Sequence, residues 1–317
     1  MGGCHRGSKH KGDATLRTAI DAPIESPPFE QITNGRFRPR YNEVSFDPYP
    51  VDTSVALAGF LERFQRDKQP AAVSFRQMVP WLKVGERASH YLHPYPAKLL
   101  PHIAHFFLAN RVLVGADECV LDPFSGSGTV ALETILSGRP ALYADVNPLG
   151  SLITAVKTRL IDLTALAVAY AEVREGFRRS RTRTPPDVVN LEKWFNPRVT
   201  SDLIRLRAAI NALKDETLRD FMRVTFSAVT RKASNSDLRF SVPVRYRAGE
   251  VRNDVSVVDL FDAQFEANVA RIAALGQVET LGVVKTVGAD ARHLMSPRGE
   301  RLPDQSVGMI ISSPPYA

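Results

Sequence analysis

The 317-residue sequence contains little cysteine and no long apolar run, and these two shortages exclude several classes of protein. Two cysteines, Cys4 and Cys119, are too few for a disulfide framework or an all-cysteine zinc site. No spacing of histidine and cysteine indicates a metal site. Every stretch of about 18 residues contains charge, so we expect no transmembrane helix. No apolar segment follows the basic N-terminal residues, which disfavours a secretory signal and favours the reducing cytoplasm.

Acidic residues are also in the minority, because 41 Lys and Arg outnumber 34 Asp and Glu and leave a net charge of +7. A basic surplus favours a polyanionic partner, and a solvated surface is the other interpretation. The stretch 231–252 carries six positive side chains interleaved with Phe240 and Tyr246. Phosphate contact and a solvated loop are equally compatible with it. Hydrophobic content of 44% indicates a globular chain rather than a disordered one.

Hydrophobic periodicity predicts helices and short strands in alternation, which is typical of an α/β fold with a parallel, doubly wound sheet. The predicted helices cover 53–68, 98–110, 129–137, most of 151–178 and 197–232, and 258–275. The predicted strands cover 119–121, 141–144, 281–287 and 307–311.

A glycine-rich loop, Asp122-Pro123-Phe124-Ser125-Gly126-Ser127-Gly128, joins the first predicted strand to a helix beginning at Thr129. Glycines permit a sharp turn and close approach of a ligand, and the helix N-terminus favours an anionic group. Asp145 ends the next strand, where a carboxylate can accept hydrogen bonds from ribose hydroxyls. The run from Gly126 also fits the dinucleotide pattern G-x-G-x-x-A, so a nicotinamide enzyme is a competing hypothesis. The simpler alternatives are a turn without a ligand and, for Asp145, a helix N-cap before Pro148.

Four short motifs, taken in order, resemble those of the DNA amino-methyltransferases, which use S-adenosylmethionine to methylate adenine N6 or cytosine N4. Residues 122–129 resemble motif I, and Ser313-Pro314-Pro315-Tyr316 resembles motif IV. His93-Pro94-Tyr95-Pro96-Ala97-Lys98 resembles motif X, and Gly288-Ala289-Asp290 resembles motif III. The resemblance covers about 89–158 and 281–317, and it implies an incomplete Rossmann-like methyltransferase core with a largely helical insertion.

The resemblance also implies a role for each matching residue. Asp122 and the backbone of Gly126 and Gly128 would hold the methionine part of S-adenosylmethionine, and Phe124 would form a wall of the pocket. The remaining cofactor-binding positions would be Tyr95, Lys98, Thr129, Asp145 and Asp290, with Asp290 at the adenine. The alternatives are a proline-stiffened helix entry for residues 93–98, with Lys98 merely solvated, and a turn or cap residue for Asp290.

The catalytic positions implied by motif IV are Ser313, Pro314, Pro315 and Tyr316. An exocyclic amino nitrogen is a poor nucleophile because its lone pair is delocalised into the ring. The Ser313 hydroxyl and the Pro314 carbonyl could accept hydrogen bonds from its two N–H groups, and Pro315 would fix the backbone. Tyr316 offers a face on which an extruded base can stack. No cysteine nucleophile is required, and Cys119 falls in a strand, which disfavours cytosine-C5 methylation.

We divide the chain into four segments. Residues 1–50 form a flexible N-terminal arm with a short docked segment around 37–49, and residues 51–158 form helices and the cofactor-binding half of the core. Residues 159–278 form a helical and basic insertion, and residues 279–317 form core strands that end in motif IV. Members of the family that the motifs resemble continue beyond motif IV. We therefore expect a truncated chain, a split enzyme completed by a second polypeptide, or a recognition region formed by residues 151–275 with a partner that supplies the missing strands.

These expectations combine into a DNA methyltransferase acting on an amino group, with cytosine N4 slightly favoured over adenine N6, in a restriction–modification setting. An RNA guanine-N2 methyltransferase shares the motif I style, but its motif IV more often opens with Asp or Asn. A catalytically incomplete cofactor- or DNA-binding fragment is the alternative from another class. A dehydrogenase comes last, since Ser-Pro-Pro-Tyr has no role in hydride transfer. The non-catalytic alternative for motif IV is a polyproline-like recognition segment.

Overall fold

The computed structural model describes residues 48–84, 87–96, 98–240, 244–246, 255–296 and 298–314. Within these ranges the helices are α1 (Ser54–Asp67), α2 (Phe75–Met78), α3 (Pro101–Leu108), α4 (Thr129–Leu136), α5 (Pro148–Lys157), α6 (Leu163–Arg179), α7 (Leu191–Trp194), α8 (Pro197–Asn211), α9 (Glu216–Ala233) and α10 (Val257–Gly276). The strands are β1 (Val120–Asp122), β2 (Ala141–Tyr143), β3 (Val284–Thr286) and β4 (Met309–Ile310). The predicted arm lies outside the described residues except for its last three.

A four-stranded sheet in the order β3-β2-β1-β4 forms the centre of the fold, and all three strand pairs are parallel. Val120 of β1 lies opposite Ala141 of β2 on one side and Met309 of β4 on the other. With helices joining the strands, this is the predicted α/β, Rossmann-like core. The arrangement brings the carboxyl ends of β1 and β4 side by side, although their last residues, Asp122 and Ile310, are 188 positions apart in sequence.

The last three strands are shorter than predicted, and the third strand shows why. The prediction 281–287 shrinks to Val284–Thr286 because Gly282 leaves the ladder and its N–H bonds to the carbonyl of Ile135 at the end of α4. The backbone of Gly282 lies so close to Arg139 that a Cβ there would be 1.9 Å from the Arg139 carbonyl oxygen. This close contact delays the start of the regular strand until Val284.

Capping residues set the helix boundaries more tightly than periodicity does. The helix predicted for 98–110 begins at Pro101, because Pro suits the first helical position and Leu100 before it is extended. The region 151–178 divides into α5 and α6, where Asp162 accepts hydrogen bonds from the N–H groups of Thr164 and Ala165. Asp215 caps α9 in the same way and divides 197–232.

Two clusters of buried apolar side chains lie on either side of α5. One packs around the sheet and α4, with Val130, Ile135 and Leu136 buried. The other joins α6, α8, α9 and α10, and α5 contributes Ile153 and Val156 to it. The helix that follows β2 therefore connects the sheet to the helical layer. The domain boundaries at 51–158, 159–278 and 279–317 stay predictions.

Candidate functional site

A cleft opens at the carboxyl ends of β1 and β4, and it contains residues from both predicted loops. Its lining consists of Lys98, Leu99, Asp122, Phe124, Ser125, Gly126, Ser127, Thr129 and Ser313. Ser313, which opens the predicted motif IV, therefore lies at the glycine loop. The carboxyl edge of a parallel sheet is the usual position for ligand sites in open α/β folds.

Two glycines of the loop adopt backbone angles that other residues avoid. Gly126 has φ +51° and Gly128 has φ +71°, and Gly128 occupies the N-cap position of α4. A Cβ at Gly128 would lie 2.7 Å from the hydroxyl of Thr154 on α5. Both the left-handed turn and the close approach of α5 therefore require glycine here.

Three hydroxyls of the loop are buried without a hydrogen-bond partner among the described residues. They belong to Ser125, Ser127 and Thr129, which are at most 6% exposed and all line the cleft. Buried polar groups are nearly always paired, so orphaned hydroxyls that share one cleft indicate a polar ligand. These hydroxyls could pair with amino, carboxylate or hydroxyl groups of a bound ligand.

Asp122 places a buried carboxylate at the end of β1. Its Oδ1 accepts hydrogen bonds from the Phe124 N–H (3.1 Å) and the Ser312 hydroxyl (2.7 Å). Burial raises the pKa of Asp122 to about 6, and the bonds from Ser312 and Phe124 oppose that rise. The Ser312 bond ties the segment after β4 to the strand that begins the glycine loop.

Asp145 ties the end of β2 to the same loop. One of its oxygens accepts the Gly126 N–H at 2.5 Å, and the other accepts the Asn147 N–H at 2.7 Å. The alternative that Asp145 caps the next helix is wrong, because Asn147 is the N-cap of α5 and accepts the Leu149 N–H. The Asp145 carboxylate remains half-buried at the strand tip.

The segment resembling motif X lies against the loop. The Tyr95 ring passes within 3.5 Å of where a Cβ of Gly126 would be, and its hydroxyl accepts a hydrogen bond from Asn147. Lys98 is half-buried and donates to the His93 carbonyl at 2.9 Å. Burial, with a smaller contribution from Arg271, lowers the pKa of Lys98. The alternative of a merely solvated Lys98 is therefore wrong.

Asp290 is not among the residues that line the cleft. It follows β3, two strands away from β1, and its carboxylate pairs with Arg292 at 2.6 Å. It also accepts the Arg292 N–H, as an aspartate in a turn does. Pro314 is exposed, and Pro315 and Tyr316 lie outside the described residues.

Sequence analysis missed several residues that hold the site together. Asn147 precedes a proline at a helix start, and this signature could have identified it as a cap. Ser312 and Lys157 had no local signal, because each acts on a partner far away in the chain: Asp122 and the Ser127 carbonyl, respectively.

No three His, Cys, Asp or Glu side chains in the part of the chain that the structure describes are grouped so that they could hold a metal ion. No described helix is both long and apolar enough to cross a membrane.

Comparison with known proteins identifies two relatives. The type II methyltransferase M.MvaI of Kocuria varians is 25% identical over 244 residues, which make up 72% of this chain and 53% of that protein. The type II methyltransferase M.MjaII of Methanocaldococcus jannaschii is 34% identical over 87 residues, 27% of this chain and 16% of that protein. No family model and no solved structure matches the chain.

The chain spans about half the length of M.MvaI and a smaller part of M.MjaII. Neither relative supports the expected second polypeptide. Both relatives are named type II methyltransferases, and the sheet has the fold that the motif resemblance implies. The chain is therefore similar to type II DNA methyltransferases over about 72% of its length.

Proposed function

We propose that this chain binds S-adenosylmethionine and transfers its methyl group to an exocyclic amino nitrogen of a base in DNA, as part of a restriction–modification system. The observation that carries the proposal is the shared cleft, in which Ser313 lies with the glycine loop and its orphaned hydroxyls. The two relatives, both named type II methyltransferases, support DNA as the substrate.

The order of the strands supports an extended cofactor site. Ser313, the glycine loop, Asp145 and Asp290 follow β4, β1, β2 and β3, which are successive neighbours in the sheet. Adjacent strands are about 4.8 Å apart, so these groups form a row roughly 14 Å long. In the proposal, Asp122 and the glycine loop hold the methionine part, Asp145 the ribose and Asp290 the adenine.

When bound, S-adenosylmethionine supplies an electrophilic methyl group on a sulfonium. Ser313 and the Pro314 carbonyl accept hydrogen bonds from the two amino N–H groups, which directs the nitrogen lone pair out of the base plane. The amino nitrogen would take the methyl group from the sulfonium, which would leave as a neutral thioether, and the nitrogen would then lose one proton to solvent. Positioning of the two reactants provides most of the rate, since the sulfonium is already reactive. Tyr316 stacks on the extruded base.

Cytosine N4 is proposed ahead of adenine N6, on the serine that opens motif IV. The test is a calorimetric titration with S-adenosylmethionine, followed by transfer of tritiated methyl groups to DNA and chromatography of the digested nucleosides. We expect binding, and label in N4-methylcytosine. Folded wild-type protein that gives no binding heat would contradict the cofactor assignment, and binding without transfer to DNA would contradict the enzymatic one.

We predict that Ser313→Ala lowers the transfer rate by about 100-fold, the usual cost of losing one hydrogen-bonding group aimed at a reacting centre. Its affinity for S-adenosylmethionine should stay within about threefold of wild type, because the hydroxyl serves the base. Ser137→Ala is the matched control, at the opposite end of α4. A Ser313→Ala variant that retains the full rate would refute the role of this serine.

A further inference from the structure

One face of α5 packs directly on the backbone of the glycine loop. Gly150, Thr154 and Lys157 share this face, since residues spaced by four and three positions are neighbours on a helix. A Cβ at Gly150 would lie 2.7 Å from the Gly126 carbonyl oxygen, and the Thr154 hydroxyl lies 3.4 Å from the same oxygen. The helix therefore leaves the loop little freedom to move.

Lys157 makes the third contact, and it is an unusual one. The side chain is fully buried, and its amine donates a hydrogen bond to the Ser127 carbonyl. Within the described residues this amine pairs with no carboxylate, and burial, followed by the charge of Lys98, holds the pKa of Lys157 well below its usual range. Burying a lysine amine without a counter-charge opposes folding, so stability alone does not account for it.

The contacts of α5 fix the direction of two peptide units in the loop. Because a trans peptide is planar, its carbonyl and the following N–H point in opposite directions. Holding the Gly126 carbonyl toward Thr154 therefore directs the Ser127 N–H away from α5. Holding the Ser127 carbonyl toward Lys157 fits the turn in which the Gly128 N–H bonds to the Ser125 carbonyl at 2.8 Å. Ser125 and Ser127 both line the cleft.

We infer that Lys157 is a positioning residue for the methyl donor: through the Ser127 carbonyl, and together with Thr154 and Gly150, it presets the glycine loop in the shape that binds S-adenosylmethionine. The inference rests on the proposed function. According to this inference, the Lys157 side chain contributes to cofactor affinity although it lies outside the cleft. Lys157 does not line the cleft, so the effect passes through the backbone.

The test compares Lys157→Met with Lys214→Met, which changes an exposed lysine between α8 and α9. Met keeps the length of the side chain and removes the N–H donor. We expect Lys157→Met to weaken S-adenosylmethionine binding about tenfold in calorimetry. Its melting temperature should stay within about 3 °C of wild type, because the lost hydrogen bond is offset by the relief of the buried amine. KM for the cofactor should rise while kcat stays within about threefold.

Affinity of Lys157→Met within twofold of wild type would overturn the inference while leaving the proposed function intact. Equal loss in the Lys214→Met control would also overturn it. If wild-type protein itself does not bind the cofactor, the proposed function fails, and this inference with it.

A second variant tests the packing of α5 on the same loop without altering charge and serves if Lys157→Met does not fold. Gly150→Ala suits a helix, but its Cβ would press on the Gly126 carbonyl. Gly59→Ala on α1 is the matched control, because a Cβ there meets nothing within 4 Å. We expect about a tenfold loss of cofactor affinity for Gly150→Ala and no loss for Gly59→Ala. Unchanged affinity in Gly150→Ala would contradict the inference.

Discussion

Asp122 is a carboxylate that the fold buries at the end of β1, with two donors on one oxygen. Burial disfavours its charged form and raises the pKa to about 6, despite the hydrogen bonds from Ser312 and Phe124. Near neutral pH the charged carboxylate thus opposes folding. The proposed partner, the positively charged amino group of the methionine part, would favour the charged form and account for a buried aspartate here.

We predict that Asp122→Asn stabilises the protein at pH 8 and not at pH 4. The folded pKa of about 6 exceeds the ordinary value of 3.8, so the stability from this group is present below about pH 4 and is lost as pH rises through 6. Asn remains neutral and keeps an oxygen acceptor, so its advantage at pH 8 should be about 2–3 kcal/mol. Urea denaturation of both proteins at the two pH values measures it.

The comparison with wild type is necessary because other groups titrate over the same range. Burial lowers the pKa of His90 and His93 to about 4, so each keeps its stability contribution above pH 6.5 and loses it as pH falls toward 4. These losses occur in both proteins and cancel in the difference. An Asn variant that is less stable than wild type at pH 8 would show that Asp122 stabilises the fold.

At the scale of elements, α4 is fastened to the preceding segment by a buried polar cluster around Glu133. The Arg87 guanidinium reaches both carboxylate oxygens at 2.7 and 2.8 Å, and His90 lies 2.6 Å away. The Tyr49 hydroxyl donates to the same carboxylate at 2.7 Å. Burial alone would raise the pKa of Glu133, but Arg87 and the His105 and His90 hydrogen bonds outweigh it and hold the pKa well below its usual value.

We predict that Glu133→Gln destabilises the protein by about 3–5 kcal/mol, because the substitution leaves Arg87 buried without its counter-charge. The exposed Glu172→Gln on α6 is the matched control and should cost no more than about 0.5 kcal/mol. Urea denaturation at pH 7.5 gives both values. A Glu133→Gln cost as small as that of the control would mean that the cluster does not hold α4 in place.

Local patterns predicted the elements around the glycine loop well. Residues 119–145 contain local signals for turns and helix ends, since two glycines turn the chain and Gly138 follows the end of α4 with a φ of +79°. The cluster around Glu133 was not predictable, because Arg87 lies 46 residues away from Glu133 and no periodicity links them. The bond from Ser312 to Asp122 spans 190 residues and depends on the pairing of β1 with β4.

For the whole molecule, the sequence predicted the fold, whereas several assigned groups stay predictions. Asp290 is paired with Arg292 on an exposed turn, and its contact with adenine remains proposed. In the basic stretch 231–252, Arg239 pairs with Asp237, and Lys232 donates to Gln264. Those two charges are therefore engaged within the protein, which weakens the case for this stretch as the main phosphate-binding surface.

The central claim is that one cleft at the carboxyl edge of the sheet holds the methyl donor beside the base-activating serine. A crystal structure of the chain with S-adenosylhomocysteine, the demethylated form of the donor, tests this claim most directly. The account predicts the ligand's amino-acid end against Asp122 and the hydroxyls of Ser125, Ser127 and Thr129, with its sulfur facing Ser313. A ligand bound elsewhere, or one whose sulfur points away from Ser313, would contradict the account.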